Sequence, residues 1–182
     1  MSSTAIVFLS RDGSTRLAAQ ILAERTGALT VELEQRKGAK GFLLSGFRAK
    51  TGKHVEPSED PWSRVRECGT LILAAPIWAG SPNPVMNGFL DEADLSGKSV
   101  YLLTVQADPD RSKSGEVLEH YSRRVREAGG SVGGSRAITG APPGRTAKEE
   151  AIRTALEGWA IPPRPPTEQV ARDPGGGLQP QE

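Results

Sequence analysis

Two stretches of the chain are continuously apolar instead of alternating between apolar and polar residues. They are AIVFLS at 5–10 and GTLILAA at 69–75. Neighbouring side chains of a strand point to opposite faces of the sheet, so a strand that is apolar throughout is covered on both faces. These stretches predict inner strands of a parallel sheet, and SVYLLTV at 99–105 predicts a further strand.

Helical spacing alternates with the strands. Apolar residues recur at Leu17, Ala18, Ile21 and Leu22, which predicts a helix over 15–26 that ends at Gly27. Further patterns predict a strand at 28–34, a weaker strand at 129–139, and helices at 85–90, 115–128 and 146–159. This alternation implies right-handed crossovers and a doubly wound α/β sheet.

Two segments fall outside this alternation. Residues 35–56 are basic and punctuated by glycine around GFLLSGF, which predicts a long crossover with one helix. From Ile161 the chain holds 6 of its 14 prolines and almost no apolar residue. We therefore expect one domain over 1–160 and a disordered Pro/Gly-rich tail over 161–182, for which a role as a proline-rich ligand is the less favoured reading.

Composition narrows the class of protein. A chain of 182 residues with 36% hydrophobic content can bury one core. The net charge of +1 gives no field that would recruit nucleic acid or a membrane surface. The single cysteine, Cys68, cannot form an internal disulfide, and no apolar run approaches the roughly 20 residues that cross a bilayer. With no export signal recognisable at the N-terminus, we expect a cytoplasmic protein.

Three loops leave carboxyl ends of strands, where open parallel sheets bind ligands: 10–15, 76–84 and 106–114. The first is rich in hydroxyl groups, Gly13 permits its turn, and it opens onto a helix N-terminus that favours an anion such as phosphate. The alternative is that Ser10, Asp12 and Ser14 merely cap the helix. The loop alone does not decide between the two.

Trp78 lies just past a buried strand, between Pro76 and Gly80, where the sequence offers its indole no obvious core. A flat heteroaromatic ligand could stack on it. The alternatives are that the indole folds back over its own loop or closes a dimer contact. Trp62 and Trp159 are expected to be packing residues.

Other chemistry finds little support in the chain. Phosphate-binding P-loop, zinc-protease, nucleophile-elbow and paired-cysteine motifs are absent from the sequence, and His54 and His120 have no companion ligands. We therefore expect no metal site and no catalytic constellation, and we expect Cys68 to be a structural thiol. The basic cluster at 36–53 could dock an acidic partner or a nicotinamide phosphate, although a solvated face is favoured.

The loops also carry a resemblance. SRDGST at 10–15 resembles the flavodoxin phosphate loop, T-x-T-G-x-T, and the segment LILAAPIWAGSPNPVMNGFL followed by LSGKSVYLL is similar to the third-strand region of FMN-binding flavodoxin-like proteins. GFRAKTGKHVEP resembles the crossover of that branch, and the likeness covers about residues 4–159. It implies a single-domain, flavodoxin-like, five-stranded parallel sheet of order 2-1-3-4-5 with noncovalently bound FMN.

The resemblance also assigns residues. The phosphate would be held by the loop after the first strand, the isoalloxazine would be lined by the loop after the third, with Trp78 stacking, and the loop after the fourth would add further contacts. The implied cofactor-binding residues are Ser10, Arg11, Asp12, Gly13, Ser14 and Thr15, then Pro76, Ile77, Trp78, Ala79 and Gly80, then Gln106, Ala107 and Asp108.

Asp12 and the third loop depart from the family pattern, which has a hydroxyl residue and small residues there. A carboxylate about 4 Å from a phosphate would cost on the order of 4 kcal/mol at an effective dielectric near 20. We expect Asp12 to point outward and cap the helix, with Arg11 and Arg16 helping to neutralise it.

The leading hypothesis is an FMN-dependent redox protein in which the flavin carries the chemistry. It would transfer electrons to a partner protein, or take hydride from NAD(P)H and reduce a small acceptor such as a quinone. The balanced charge favours the second, because flavodoxin-like carriers tend to be acidic. The alternative is a flavin-free interaction module, and a homodimer is compatible with either.

Overall fold

The computed structural model describes residues 3–34 and 60–161. The predicted crossover at 35–56 and all but the first residue of the predicted tail at 161–182 lie outside the described residues. The basic cluster at 36–53 and His54 lie outside them as well.

Five parallel strands form one sheet of order β2-β1-β3-β4-β5, which confirms the predicted architecture. The strands are β1 (Thr4–Phe8), β2 (Leu29–Glu32), β3 (Thr70–Pro76), β4 (Ser99–Gln106) and β5 (Ser131–Thr139). The outer strands β2 and β5 are the ones with the weaker apolar patterns, because an edge strand has neighbours on one side only. Register between β4 and β5 shifts once, between Val100 and Tyr101.

Among the described residues, four helices lie between strands and a fifth follows β5. They are α1 (Ser14–Thr26), α2 (Trp62–Val65), α3 (Pro84–Glu92), α4 (Ser114–Glu127) and α5 (Glu149–Leu156). The single turn α2 was not predicted. The last helix begins three residues later than its pattern suggested, because Thr146 and Ala147 form hydrogen bonds with Asp12 and Ser14 and not within a helix.

The core consists of two layers, one on each face of the sheet. Ile6 of β1 packs with apolar residues of α1 and α5, whereas Val7 packs with apolar residues of α3 and α4. This alternation bears out the prediction that β1 is covered on both faces. Trp159 packs edge-on against Tyr101 at 6.4 Å, and Trp62 against Phe89 at 6.2 Å, so both are packing residues as predicted.

Cys68 is buried, and the Ser3 hydroxyl donates a hydrogen bond to its sulfur at 3.3 Å. Within residues 3–34 and 60–161, no helix is both long and apolar enough to cross a bilayer. The same residues contain no group of three potential metal ligands.

Candidate functional site

A cleft lies at the carboxyl edge of the sheet, where the loops after β1, β3, β4 and β5 meet. Its cavity volume is about 160 Å³, and it is open to solvent at its mouth. Residues from all four loops line it: Arg11, Asp12, Ser14, Thr15, Pro76, Ile77, Trp78, Ala79, Val105, Ala107, Gly140, Ala141 and Pro143. The structure thus brings together the three predicted loops and adds a fourth.

The N-terminus of α1 at the base of the cleft has no side-chain cap. Its N-cap is Gly13, in the left-handed conformation at φ 93°, and the first turn holds no acidic residue. The first intrahelical bond runs from Leu17 N–H to Gly13 O, so the amides of residues 14–16 have no acceptor inside the helix. The capping alternative for Ser10, Asp12 and Ser14 is therefore wrong, and the helix end remains suited to an anion.

Two serines of this loop have unusual surroundings. The Ser14 oxygen accepts hydrogen bonds from the amides of Ala141 at 3.3 Å and Ala147 at 3.0 Å. Since a hydroxyl oxygen has two lone pairs, Ser14 retains only its proton for a further bond. The Ser10 hydroxyl oxygen is buried and has no hydrogen-bond partner in the described structure. Both hydroxyls can therefore serve as donors.

Asp12 lines the cleft instead of capping α1. Its Oδ1 lies 4.0 Å from Arg11 Nε, which supports the predicted part of Arg11 in neutralising it. The predicted part of Arg16 is wrong, because its guanidinium binds both carboxylate oxygens of Glu32, at 2.6 and 3.0 Å. The hydrogen bonds and charge of Glu32 raise the pKa of Arg16. Only one of the two arginines thus offsets the Asp12 charge.

Trp78 begins a two-residue hairpin. Its amide and carbonyl pair with Ser81 at 3.3 and 2.9 Å, and the turn residues Ala79 and Gly80 have φ values of 49° and 72°. Two successive positive φ values are those of a type I′ turn. The indole is half-buried, packs against the core layer of α3 and α4 and also lines the cleft. The expectation that it has no core contact is wrong, whereas its place at the cleft agrees with the prediction.

The loop after β4 contributes less to the cleft than predicted. Ala107 lines it, but Gln106 and Asp108 are bonded to their own loop. Gln106 accepts a hydrogen bond from Ser114 at 3.0 Å and donates one to Asp108 at 3.3 Å. Asp108 also accepts a hydrogen bond from the Ser112 hydroxyl at 2.7 Å. This bond, together with those from the Ser112 and Asp110 amides, lowers the pKa of Asp108.

Gly80 is also absent from the cleft lining, as are Ser10 and Gly13. Gly80 faces the aliphatic stem of Lys113, so that a Cβ added there would lie 3.3 Å from Lys113 Cγ. Ser10 and Gly13 are adjacent in sequence to the lining residues Arg11, Asp12 and Ser14. The predicted residues that do line the cleft belong to the loops after β1 and β3, together with Ala107.

The loop after β5 was missed by the sequence reasoning. Gly140, Ala141 and Pro143 line the cleft, and the Gly140 amide continues the sheet ladder to Gln106 O at 2.8 Å. The signal was present, because GAPPG follows the fifth predicted strand at its carboxyl end.

Comparison with known proteins identifies the fold. No protein-family model and no curated protein sequence matches the chain. Among solved structures, it is similar to the Trp repressor binding protein from Bacillus subtilis, with 20% identity and a TM-score of 0.62 over 84% of this chain and 96% of that one.

A flavoprotein from Lactobacillus acidophilus, solved in complex with FMN, has 16% identity and a TM-score of 0.58, over 75% of this chain and 93% of that one. Flavodoxin 2 from Bacillus cereus has 18% identity and a TM-score of 0.55, over 85% and 92% respectively. These similarities, together with the strand order, confirm the predicted flavodoxin-like fold.

Proposed function

We propose that the chain binds FMN noncovalently in the cleft and acts as an FMN-dependent redox protein. The observation that carries this proposal is the uncapped N-terminus of α1 at the base of a cleft that Trp78 lines. The two features suit the two ends of a flavin mononucleotide, one anionic and the other flat and aromatic. A structural neighbour that was solved with FMN adds support.

At the start of α1, where the phosphate of FMN would bind, the protein offers hydrogen-bond donors to the phosphate oxygens, which are acceptors. The amides of residues 14–16 lack intrahelical acceptors, and Ser14 has only its proton to offer. The Ser10 hydroxyl, next to the lining residue Arg11, is buried without a partner, which costs about 1–3 kcal/mol and leaves its proton as a further donor in this loop. Arg11, on the cleft wall, adds positive charge.

At the ring end, the walls are mostly apolar. Pro76, Ile77 and Trp78 come from one loop, and Val105 and Ala107 from the next. Such walls bury a heteroaromatic ring and exclude water from it, and the indole offers a stacking surface. When bound, FMN supplies the electron and hydride transfer, so the protein's part is to bind, orient and shield it.

Within this class we propose NAD(P)H-dependent reduction of a small acceptor such as a quinone, in preference to electron carriage between proteins. The support is the charge balance of 23 basic and 22 acidic residues, which gives little long-range attraction to a charged protein partner.

A flavin-free interaction module is the second candidate. The Asp12 carboxylate favours it, because it lines the cleft where a phosphate would bring like charge. In this case the fold would be retained and its loops would serve a partner instead of a cofactor.

A titration of the purified protein with FMN, followed by quenching of flavin fluorescence, tests the proposal. We expect saturable quenching, and then reduction of the bound flavin by NADPH or NADH, followed by its absorbance. If the protein quenches the fluorescence of neither FMN nor riboflavin, the proposed function fails and the flavin-free interaction module is the remaining candidate. If FMN binds but neither NADH nor NADPH reduces it, the protein is better explained as an electron carrier than as a reductase.

A further inference from the structure

The loop between β5 and α5, residues 140–148, is hydrogen-bonded to the first residue of α1 and to the loop before it. The Thr146 hydroxyl donates a hydrogen bond to the Asp12 carbonyl oxygen at 2.6 Å. The amides of Ala141 and Ala147 donate to Ser14 Oγ from the two ends of the same loop. We call these three bonds the latch.

The latch fixes the backbone that begins α1. A peptide group is planar and trans, so holding the Asp12 carbonyl also fixes the direction of the Gly13 N–H. Gly13 has a φ of 93°, and a Cβ added to it would overlap Thr146 Oγ1. The glycine therefore serves both the turn and the close approach of Thr146.

The start of α1 has no side-chain cap from its own segment. By contrast, α3 is capped by Asn83, whose Oδ1 accepts hydrogen bonds from the amides of Val85 at 2.9 Å and Met86 at 3.3 Å. A local cap would occupy the amides that an anion needs. The latch instead holds the loop through a carbonyl and a serine oxygen, and leaves the amides of the first turn without an acceptor.

We propose that Thr146 is a positioning residue that makes the cleft selective for a phosphorylated flavin over an unphosphorylated one. This inference rests on the proposed function. Thr146 is exposed and does not line the cleft, so its effect on a ligand passes through the Asp12–Gly13 peptide and not through direct contact. Pre-organised donors bind more tightly because the ligand does not have to order them.

The decisive variant is Thr146→Val, which keeps the shape of the side chain and removes the hydroxyl. We expect the FMN affinity to fall about fivefold, the equivalent of one ordinary hydrogen bond, while the riboflavin affinity stays unchanged. Thr146→Ser keeps the hydroxyl and should restore FMN binding. The matched control is Thr26→Val at the other end of α1, where the hydroxyl donates to Leu22 O at 2.7 Å. That variant should leave both affinities unchanged.

A merely structural role gives a different pattern. An equal loss for FMN and riboflavin in Thr146→Val, or no loss of FMN affinity, overturns the inference. Equal affinity of the wild-type protein for the two flavins also overturns it, although the flavin site itself would then stand.

A second measurement separates the inference from the proposed function. Inorganic phosphate is titrated into the wild-type protein and Thr146→Val, and the amide NMR signals of residues 13–16 are followed. Weaker phosphate binding by the variant supports the inference even if the wild-type protein binds no flavin, in which case only the proposed function fails. Identical phosphate binding by the two proteins overturns the inference.

Discussion

Replacing Asp12 by asparagine should tighten FMN binding. The carboxylate lines the cleft beside the uncapped start of α1, where the proposed phosphate would sit. Asparagine has nearly the same shape and removes one negative charge. The variant therefore tests whether an anion occupies this part of the cleft.

The size of the effect follows from the surroundings of the carboxylate. Two unit charges 4 Å apart repel each other by about 4 kcal/mol at an effective dielectric of 20 and by about 1 kcal/mol in water. The Asp12 side chain is 31% exposed and lies 4.0 Å from the Arg11 guanidinium, so solvent and a counter-charge both weaken the repulsion. We expect a gain near the lower value, about fivefold in affinity.

The assay is a fluorescence titration of FMN and riboflavin at low salt and at about 1 M salt, where the screening length falls to about 3 Å. The gain for FMN should shrink at high salt, and riboflavin, which has no phosphate, should show none. The matched control is Asp94→Asn. Asp94 lies between α3 and β4, at the opposite edge of the sheet, where its Oδ1 accepts a hydrogen bond from the Ser96 amide at 3.0 Å.

An unchanged or weaker FMN affinity in Asp12→Asn would refute the reasoning, because a phosphate at the start of α1 cannot be indifferent to a charge in the same cleft. An equal gain for riboflavin would also contradict it, since the effect would then not be electrostatic.

Three further predictions concern the other loops. Trp78→Ala should weaken FMN by roughly 1–2 kcal/mol through lost stacking, with Trp78→Phe intermediate; equal affinities in a titration would place the flavin elsewhere. Ala79→Gly should raise the free energy of unfolding in urea by about 0.5–1 kcal/mol, because glycine adopts the φ of 49° without strain, and a loss of stability would contradict this. Ser112→Ala should raise the pKa of Asp108 in an NMR titration, because the Ser112 hydroxyl helps to lower it. Since the folded pKa is lowered, the stabilisation from Asp108 is present above its unfolded pKa of about 3.9 and is lost as the pH falls through the folded value, and an unshifted midpoint in the variant would count against this assignment.

Much of the fold was predictable because its signals are local. The continuous apolar runs that form β1 and β3 reflect burial on both faces of the sheet. Each side chain of such a strand must be apolar to be buried, so the sequence itself shows the burial. The position of Trp78 at the cleft was also predictable, since it follows a strand whose carboxyl end must lie at the binding edge.

The partners of the polar side chains were not predictable in the same way. Asp12 resembles a helix cap in the sequence, yet the structure places its carboxylate on the cleft wall and its carbonyl against Thr146, 134 positions away. Ser14 resembles a direct phosphate ligand, yet its oxygen is engaged by two amides of the β5–α5 loop.

The order of hydrophobic and polar residues by itself determined the alternation of strands and helices, and the resemblance carried by the loop motifs supplied the strand order and the two main walls of the cleft. Only the tertiary structure decided that Arg16 pairs with Glu32 and that the start of α1 is held by the loop after β5. The physical reason is the separation along the chain of the groups that interact. Burial of an apolar strand depends on its own side chains, whereas a hydrogen bond or ion pair depends on which distant segment the folded chain brings within about 3 Å.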